Sequence, residues 1–406
     1  MQPIDRQSKM VSEMIHRNLR WAEQVHYQTY DWYDIWGTRI GGKVKKLYTK
    51  NALMGAPFLM PFIIADMVWP NIRMLFSEKR YFEISLAHTG LAYLNIFDVS
   101  GDEGYLAKAE ELVAPLLGMA TKCEHGPGWG INLNWTSSRE TIPPRSPCLT
   151  QTSYVYEFLK RLYEKTHKSH YINYIQSIMK HIAFDYHEWR KDDRLSCCYF
   201  AHEKTNIAVV NSNSYRAMNL IDAGKFFDNQ EYLEKGLSTL RFILFMQNRD
   251  GSWPYSETQD FVDHYHTCFV LKNLNKIGTI MSGEYPDLQR ALENGLHYYF
   301  ARLYNKEGYP VPFSVKPRSV LHKYDAYDFA EAISLLSEMK IEQERMIKLC
   351  LFVCDRFQTK AGWFKFRLYP VNFGDGIPYI RYANSAMLLA LTNVLRNTGG
   401  AYGAAD

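Results

Sequence analysis

Asp263-His264-Tyr265-His266-Thr267 is the densest run of residues able to move a proton. Asp263 and His266 stand three apart, so on a helix they share a face, where a carboxylate can orient and charge an imidazole acting as acid or base. The same spacing suits helix capping, with Asp263 as the cap and His266 as a polar core residue. Four further groups occupy the same place in other repeats, each just before or at the start of an amphipathic stretch. They are Arg318, His322, Tyr324, Asp325, Tyr327 and Asp328; Arg139, Arg145, Thr150, Thr152 and Ser153; Tyr379, Arg381, Tyr382 and Asn384; and Asn211, Asn213 and Tyr215. Trp129, Trp135 and Trp253 read as aromatic walls for a flat ligand. Asp31-Trp32-Tyr33-Asp34 adds another aromatic and acidic site near the end of the first helix.

Arg offers a bidentate fork for a carboxylate, and His or Tyr can exchange a proton at carbon. Together they suit abstraction of the proton beside a sugar carboxylate, the step shared by uronate epimerisation and β-elimination. The reading therefore takes Asp263, His266, Asp325, Tyr327 and Tyr379 as catalytic, with Trp129, Trp135, Arg139, Arg145, Asn211, Asn213, Trp253, Arg318 and Arg381 holding the glycan. Hydrolysis of a glycosidic bond needs two separated carboxylates, for which Asp263 with Asp325 or Asp328 is the best pair. A zinc site needs three protein ligands, and Asp263, His264 and His266 have no third partner element in the sequence, so no metal and no cofactor are expected.

What must position these residues is a repeat. A Gly and aromatic stretch, a charged loop and an amphipathic helix recur in Gly128-Trp129-Gly130, Asp250-Gly251-Ser252-Trp253, Gly308-Tyr309-Pro310 and Gly362-Trp363-Phe364, with a degenerate copy at 194–199. The spacing of roughly 55 to 65 residues is that of a helical hairpin plus a short strand. Helical periodicity marks a first set at 80–97, 148–166, 208–226, 262–278, 325–338 and 379–396. A second set follows at 104–120, 169–188, 230–246, 285–303 and 341–358. The N-terminal helix, about 5–30, is the natural sixth partner of the second set, pairing with the last helix. The expected fold is all-α, an (α/α)6 toroid or six-hairpin barrel, with short strands and long loops at one end. No linker or change of composition divides residues 1–406, which reads as one domain.

The formal charge of +4 is spread without a block of like charge, so nucleic acid is not implied. Seven Cys residues without CxxC or finger spacing indicate reduced thiols and a cytoplasmic chain. The first twenty residues have no secretory pattern. Ala52 to Phe76 is the most apolar segment, but Pro57, Pro61, Asp66 and Pro70 interrupt it. It reads as a buried irregular helix, the alternative being peripheral contact with an inner membrane surface.

A stretch from Phe242 to Trp253, with Gln247 and Gly251, is similar to the repeat of toroidal triterpene cyclases, but their acidic DxDD and DDxxD motifs are missing. So is the zinc-ligand pattern of lanthionine cyclases. Over nearly the whole chain the sequence resembles a family of toroidal proteins encoded with bacterial exopolysaccharide and surface-glycan biosynthesis genes, related in layout to glucuronyl C5-epimerases and six-hairpin carbohydrate enzymes. The resemblance rests on Tyr30-Asp31-Trp32-Tyr33-Asp34, Gly128-Trp129-Gly130 with Trp135 and Arg139, and Gln247 to Tyr255 followed by Asp263, His266 and Thr267. It continues through Asp325-Ala326-Tyr327 before Ala330-Glu331-Ala332, and Ile377 to Tyr382. It implies a place in glycan production or trimming, on an oligosaccharide or polysaccharide that can be lipid-linked. The family pattern has His, Gly and Gln where this chain has Tyr327, Cys268 and Asn384, which bears on any chemistry run through that His.

Overall fold

The structure, a computed structural model, describes residues 3–136, 141–316, 322–369 and 377–398. Helices α1 (Pro3–Gln24), α2 (Asp34–Gly37), α3 (Arg39–Lys50) and α4 (Ala52–Val68) come first. Five hairpins follow: α5 (Glu83–Ser100) with α6 (Glu103–Glu111) and α7 (Val113–Leu117), α8 (Leu149–Thr166) with α9 (Ser169–Phe184), α10 (Val210–Phe226) with α11 (Gln230–Phe245), α12 (His264–Ile280) with α13 (Pro286–Arg302), and α14 (Ala326–Met339) with α15 (Gln343–Phe352). The last helix is α16 (Ser385–Thr398). Packing runs from α5 to α8, α10, α12, α14 and α16 and back to α5, a closed inner ring. The fold is an (α/α)6 toroid.

The two kinds of helix are built differently. Inner helices are buried along most of their length, as α10 is from Val210 to Ile221. Outer helices bury one stripe: in α9 it is Tyr171, Ile175, Ile178, Met179 and Ile182, the three-and-four spacing of a single helical face. Turn residues cap the hairpins, Asp102 accepting from the Gly104 N–H and Asn229 from the Tyr232 N–H. α1 lies against α16: the Asn18 side-chain amide donates to Asn384 Oδ1 at 2.9 Å, and Gln358, after α15, donates to the Met14 carbonyl at 2.9 Å. α1 stops at Gln24 because His26 and Tyr27 take left-handed backbone angles (φ 51° and 57°) that no helix continues.

The repeat has a shared geometry. Gly251, Gly308 and Gly362 take φ of 90°, 79° and 98°, and their N–H groups donate to Asn248, Asn305 and Thr359 at 2.9, 2.9 and 3.0 Å. These turns lead into short antiparallel pairings at one end of the toroid, among them Val262–Asp263 with Phe313–Val315 and Tyr324–Asp325 with Arg367–Leu368. Val262–Asp263 runs directly into α12 and Tyr324–Asp325 into α14. A side chain would collide at Gly251 and Gly362, where an added Cβ would stand 2.3 Å from the Asn294 carbonyl and 2.2 Å from that of Arg17.

One expectation is corrected. The segment 52–76 forms α4 and a tight 3-10 turn (Pro70–Leu75), and it is not buried. Its inner side, through Leu59, Phe62 and Ile63, packs near Trp36, but Leu53 is 90% and Val68 71% exposed. The hairpin of α3 and α4 stands outside the ring, so no helix of the toroid covers its outward side.

Candidate functional site

At the strand end of the toroid, polar residues stand at the first turn of the inner helices. Asp263 caps α12: Oδ1 accepts from the His266 N–H at 3.0 Å while Oδ2 lies 2.7 Å from His266 Nδ1. Cap and dyad, set against each other in the sequence, are the same residue. A carboxylate can only accept, so Nδ1 carries the proton and Nε2 is left as the basic nitrogen. Asp263 is buried and His266 partly exposed, and both line a shallow recess with Asn211, Trp253, Tyr255 and Phe261. Asn211 is buried, and its Oδ1 has no hydrogen-bond partner among the described residues.

Asp325 caps α14 in the same way, accepting from the Tyr327 N–H at 2.9 Å, and takes a second hydrogen bond from Arg367 Nε at 2.9 Å. That pairing is set by strand register, which puts Arg367 opposite Asp325. One turn on is Asp328, also buried. Burial pushes its carboxyl well above the usual range, and the charges of Asp325 and Asp263 push it further, so Asp328 keeps its proton where an exposed aspartate loses it. Three carboxyl groups from two helices therefore share one environment.

Aromatic rings surround them. Tyr327 meets Tyr265 and Tyr382 edge-on at centroid distances of 5.2 and 5.3 Å, and Tyr265 lies 4.2 Å from the His266 ring. Tyr382 and Phe366 pack on Trp32, and the Arg367 guanidinium stands 5.1 Å above the Trp32 ring. Tyr255 stacks on Phe261 at 4.6 Å. Burial first and then the Asp263 charge raise the phenols of Tyr255 and Tyr265, so both are hydroxyl donors at neutral pH.

The candidate residues divide. Asp263, His266, Asn211 and the edge of Trp253 reach the recess, with Asp325 and Tyr327 next to it. Trp129 and Trp253 are core residues rather than free walls: their indole N–H groups donate to the Leu116 and Ile243 carbonyls at 2.8 and 3.0 Å, tying the repeated motif to the preceding outer helix. Asn213 is occupied with the backbone of Cys197 and Val209. Trp135 stacks on Tyr33 at 4.3 Å. Arg145 is exposed and bonded to Asn132. Tyr379 is buried against Phe366 and the Arg73 guanidinium, away from the recess. Arg381 does not offer its fork to a ligand: Nε and Nη2 both engage Asp31, at 2.8 and 2.7 Å. Arg139 and Arg318 lie outside the described residues.

Glu83 at the start of α5 was not singled out in the sequence, where it reads as an ordinary acidic first-turn residue. It is fully buried, neither oxygen has a hydrogen-bond partner among the described residues, and burial lifts its pKa to about 7 against the lowering pull of Arg381. Away from the mouth, ligand atoms of Cys123, His181 and Asp185 lie within 4.8 Å of one another, with Asp185 bonded to His125 and His181 at 2.6 Å each.

No protein-family model matches the sequence, and no curated protein does either. Solved structures do. The fold is similar to a family 76 α-mannanase of Bacteroides thetaiotaomicron, with a TM-score of 0.60 and 10% identity over 78% of this chain and 86% of that one. It is similar to cellobiose 2-epimerase from Bacillus thermoamylovorans, with a TM-score of 0.59 and 11% identity over 77% and 87%. An unsaturated glucuronyl hydrolase specific for heparin matches with a TM-score of 0.56 and 12% identity over 77% and 85%. At such identities the likeness is one of fold, and that fold is the six-hairpin layout to which the sequence resemblance pointed.

Proposed function

We propose that this protein is a carbohydrate-active enzyme that modifies an oligosaccharide or polysaccharide by moving a proton at carbon, in the manner of a uronate epimerase or lyase. The observation that carries the reading is the 2.7 Å contact between Asp263 and His266 at the edge of an aromatic recess. His266 takes the proton through Nε2, Asp263 fixes its tautomer and balances the imidazolium, and the Tyr255 and Tyr265 hydroxyls donate to the sugar. With Arg381 engaged by Asp31, the cation beside the cluster among the described residues is Arg367, itself hydrogen-bonded to Asp325. The solved neighbours include an epimerase, a lyase and glycosidases, which supports a glycan ligand. The setting is assembly or trimming of a bacterial surface glycan, lipid-linked precursors included, on the cytoplasmic side.

Hydrolysis is the second reading, favoured by one observation: Asp328 is held protonated beside Asp263 and Asp325, and acid-assisted cleavage needs carboxyl groups in unlike protonation states. Incubation with acidic and neutral oligosaccharides in deuterated water separates the outcomes. Deuterium at a uronate C5, or ultraviolet absorption from an unsaturated uronate, is expected. New reducing ends without either signal establish the hydrolase instead. A tightly bound glycan left unchanged in mass, reducing ends and deuterium content refutes both and leaves a glycan-binding protein.

A further inference from the structure

The α3–α4 hairpin has two surfaces that the toroid leaves uncovered. α4 is apolar on every side, and a helix of that composition is normally enclosed. Its inner side packs on the protein through Leu59, Phe62 and Ile63. Its outer side presents Leu53, Met54, Phe58, Pro61, Ile64 and Val68, a continuous stripe at helical spacing about 25 Å long. Asp66, the acidic residue of α4, is tied to Arg73 at 2.5 Å, so its charge is matched within the protein. Trp69 and Leu75, just beyond the helix, are exposed as well.

α3 supplies charge. Arg39, Lys43, Lys46 and Lys50 are spaced by four, three and four residues and so form one row, and α3 contains no acidic residue. None of these four side chains is in an ion pair among the described residues. An apolar stripe and a row of cations on packed antiparallel helices match the two layers of a bilayer surface, acyl chains beneath anionic headgroups. No helix among the described residues is long and apolar enough to cross a membrane.

We infer that the α3–α4 hairpin is a membrane foot: α4 lies in the interface of an anionic bilayer with its stripe among the upper acyl chains, and α3 sets its cations against lipid phosphates. The foot is joined to the mouth of the toroid. α3 follows the short α2, whose first residue Asp34 accepts from the Asp31 N–H, and Asp31 grips Arg381. A protein seated this way brings the mouth close to the headgroups, where a lipid-linked glycan would present its sugars. The inference itself needs no particular reaction and stands or falls apart from the proposed one.

The test is flotation of the full chain with vesicles of phosphatidylcholine alone and of phosphatidylcholine containing phosphatidylglycerol, at low and high salt. Expected are binding to the anionic vesicles, at least about tenfold weaker binding to the neutral ones, and weakening by salt. Phe58→Asp with Ile64→Asp and Val68→Asp should abolish binding. Lys43→Glu with Lys46→Glu and Lys50→Glu should lower it about tenfold or more and remove the salt dependence. The substituted side chains face outward, and circular dichroism of each variant reports whether the fold is kept. A folded wild-type chain that ignores both kinds of vesicle overturns the inference. So does a dimer in sedimentation velocity that the α4 variants break without any vesicle binding, because a second copy is then what covers the stripe.

Discussion

The two ends of the toroid's axis both carry charged side chains and use them differently. At the base, a cavity of about 50 Å3 is ringed by charged residues of the inner helices, including Glu157, Arg161, Lys272, Lys276, Glu338 and Arg396. There the cations are matched across helix boundaries: Lys272 with Glu331 at 2.6 Å, Lys276 with Glu157 at 2.8 Å, Arg161 with Asp98 at 2.8 Å. At the mouth the recess is smaller, about 10 Å3, and the carboxyl groups of Asp263, Asp325 and Asp328 stand with Arg367 as their cation among the described residues. Size alone would pick the wrong end. A matched pair holds helices together and has nothing left for a ligand, whereas an excess of acid keeps a proton on Asp328 beside a histidine that lines the recess.

The largest effect should come from breaking the mouth while leaving its cap. Asp263→Asn keeps an oxygen to accept from the His266 N–H but gives Nδ1 an amide neighbour without charge. Turnover of the active glycan should fall by about 10²–10⁴-fold, measured as deuterium exchange or product formation, with little change in melting temperature. Breaking the base should do the reverse. Lys272→Met leaves Glu331 as an uncompensated buried charge, which costs about 3–5 kcal/mol in urea unfolding. Adding Glu331→Leu should recover most of that, and the turnover of folded protein should not follow either change.

The ring and the first turns of its helices were legible in the sequence because both are local. Three-and-four periodicity marks each helix, and the recurring Gly before an aromatic residue marks the one backbone angle that only Gly adopts freely. Asp263 and Asp325 could be found as caps for the same reason. What escaped the sequence was pairing between distant parts of the chain. Arg381 looks like a free carboxylate clamp until Asp31, 350 residues earlier, is seen to engage it. Trp129 and Trp253 look like sugar platforms until their N–H groups are found bonded to outer-helix carbonyls. Periodicity also does not tell which apolar helix will be left outside the ring, and so the outward stripe of α4 was read as buried.

A smaller effect sharpens the comparison through pH. Glu83 has an ordinary pKa of 4.5 and one of about 7 in the fold. The native state therefore holds the proton longer than the unfolded chain does, and stability contributed below pH 4.5 is lost as the pH rises toward 7, by up to about 3 kcal/mol. Asp34, raised to about 6 chiefly by burial, acts in the same direction. Glu83→Gln should flatten thermal stability between pH 5 and 7. The slope is the readout, because the Gln amide lacks partners as the acid does. Lys272→Met should act in the opposite sense and steepen the slope, because Glu331, raised by burial against the lowering pull of Lys272, is raised further without that cation.

The smallest effect is expected from two aromatic residues two positions apart. Trp253 is inside the wall and Tyr255 is at its surface, partly exposed and stacked on Phe261 beside His266. Trp253→Phe removes the hydrogen bond to the Ile243 carbonyl and some packing, so it should lower stability by about 1–3 kcal/mol and leave glycan affinity unchanged. Tyr255→Phe keeps the ring and its stacking and removes one hydroxyl, so affinity should fall by the value of one hydrogen bond, about 0.5–1.5 kcal/mol or roughly two- to tenfold, with no loss of stability. Titration calorimetry with the preferred oligosaccharide and melting curves on both variants check this. If Trp253→Phe lowers affinity and Tyr255→Phe does not, the sugar binds deeper than the recess beside His266, and the proton-transfer role given to that histidine falls with it.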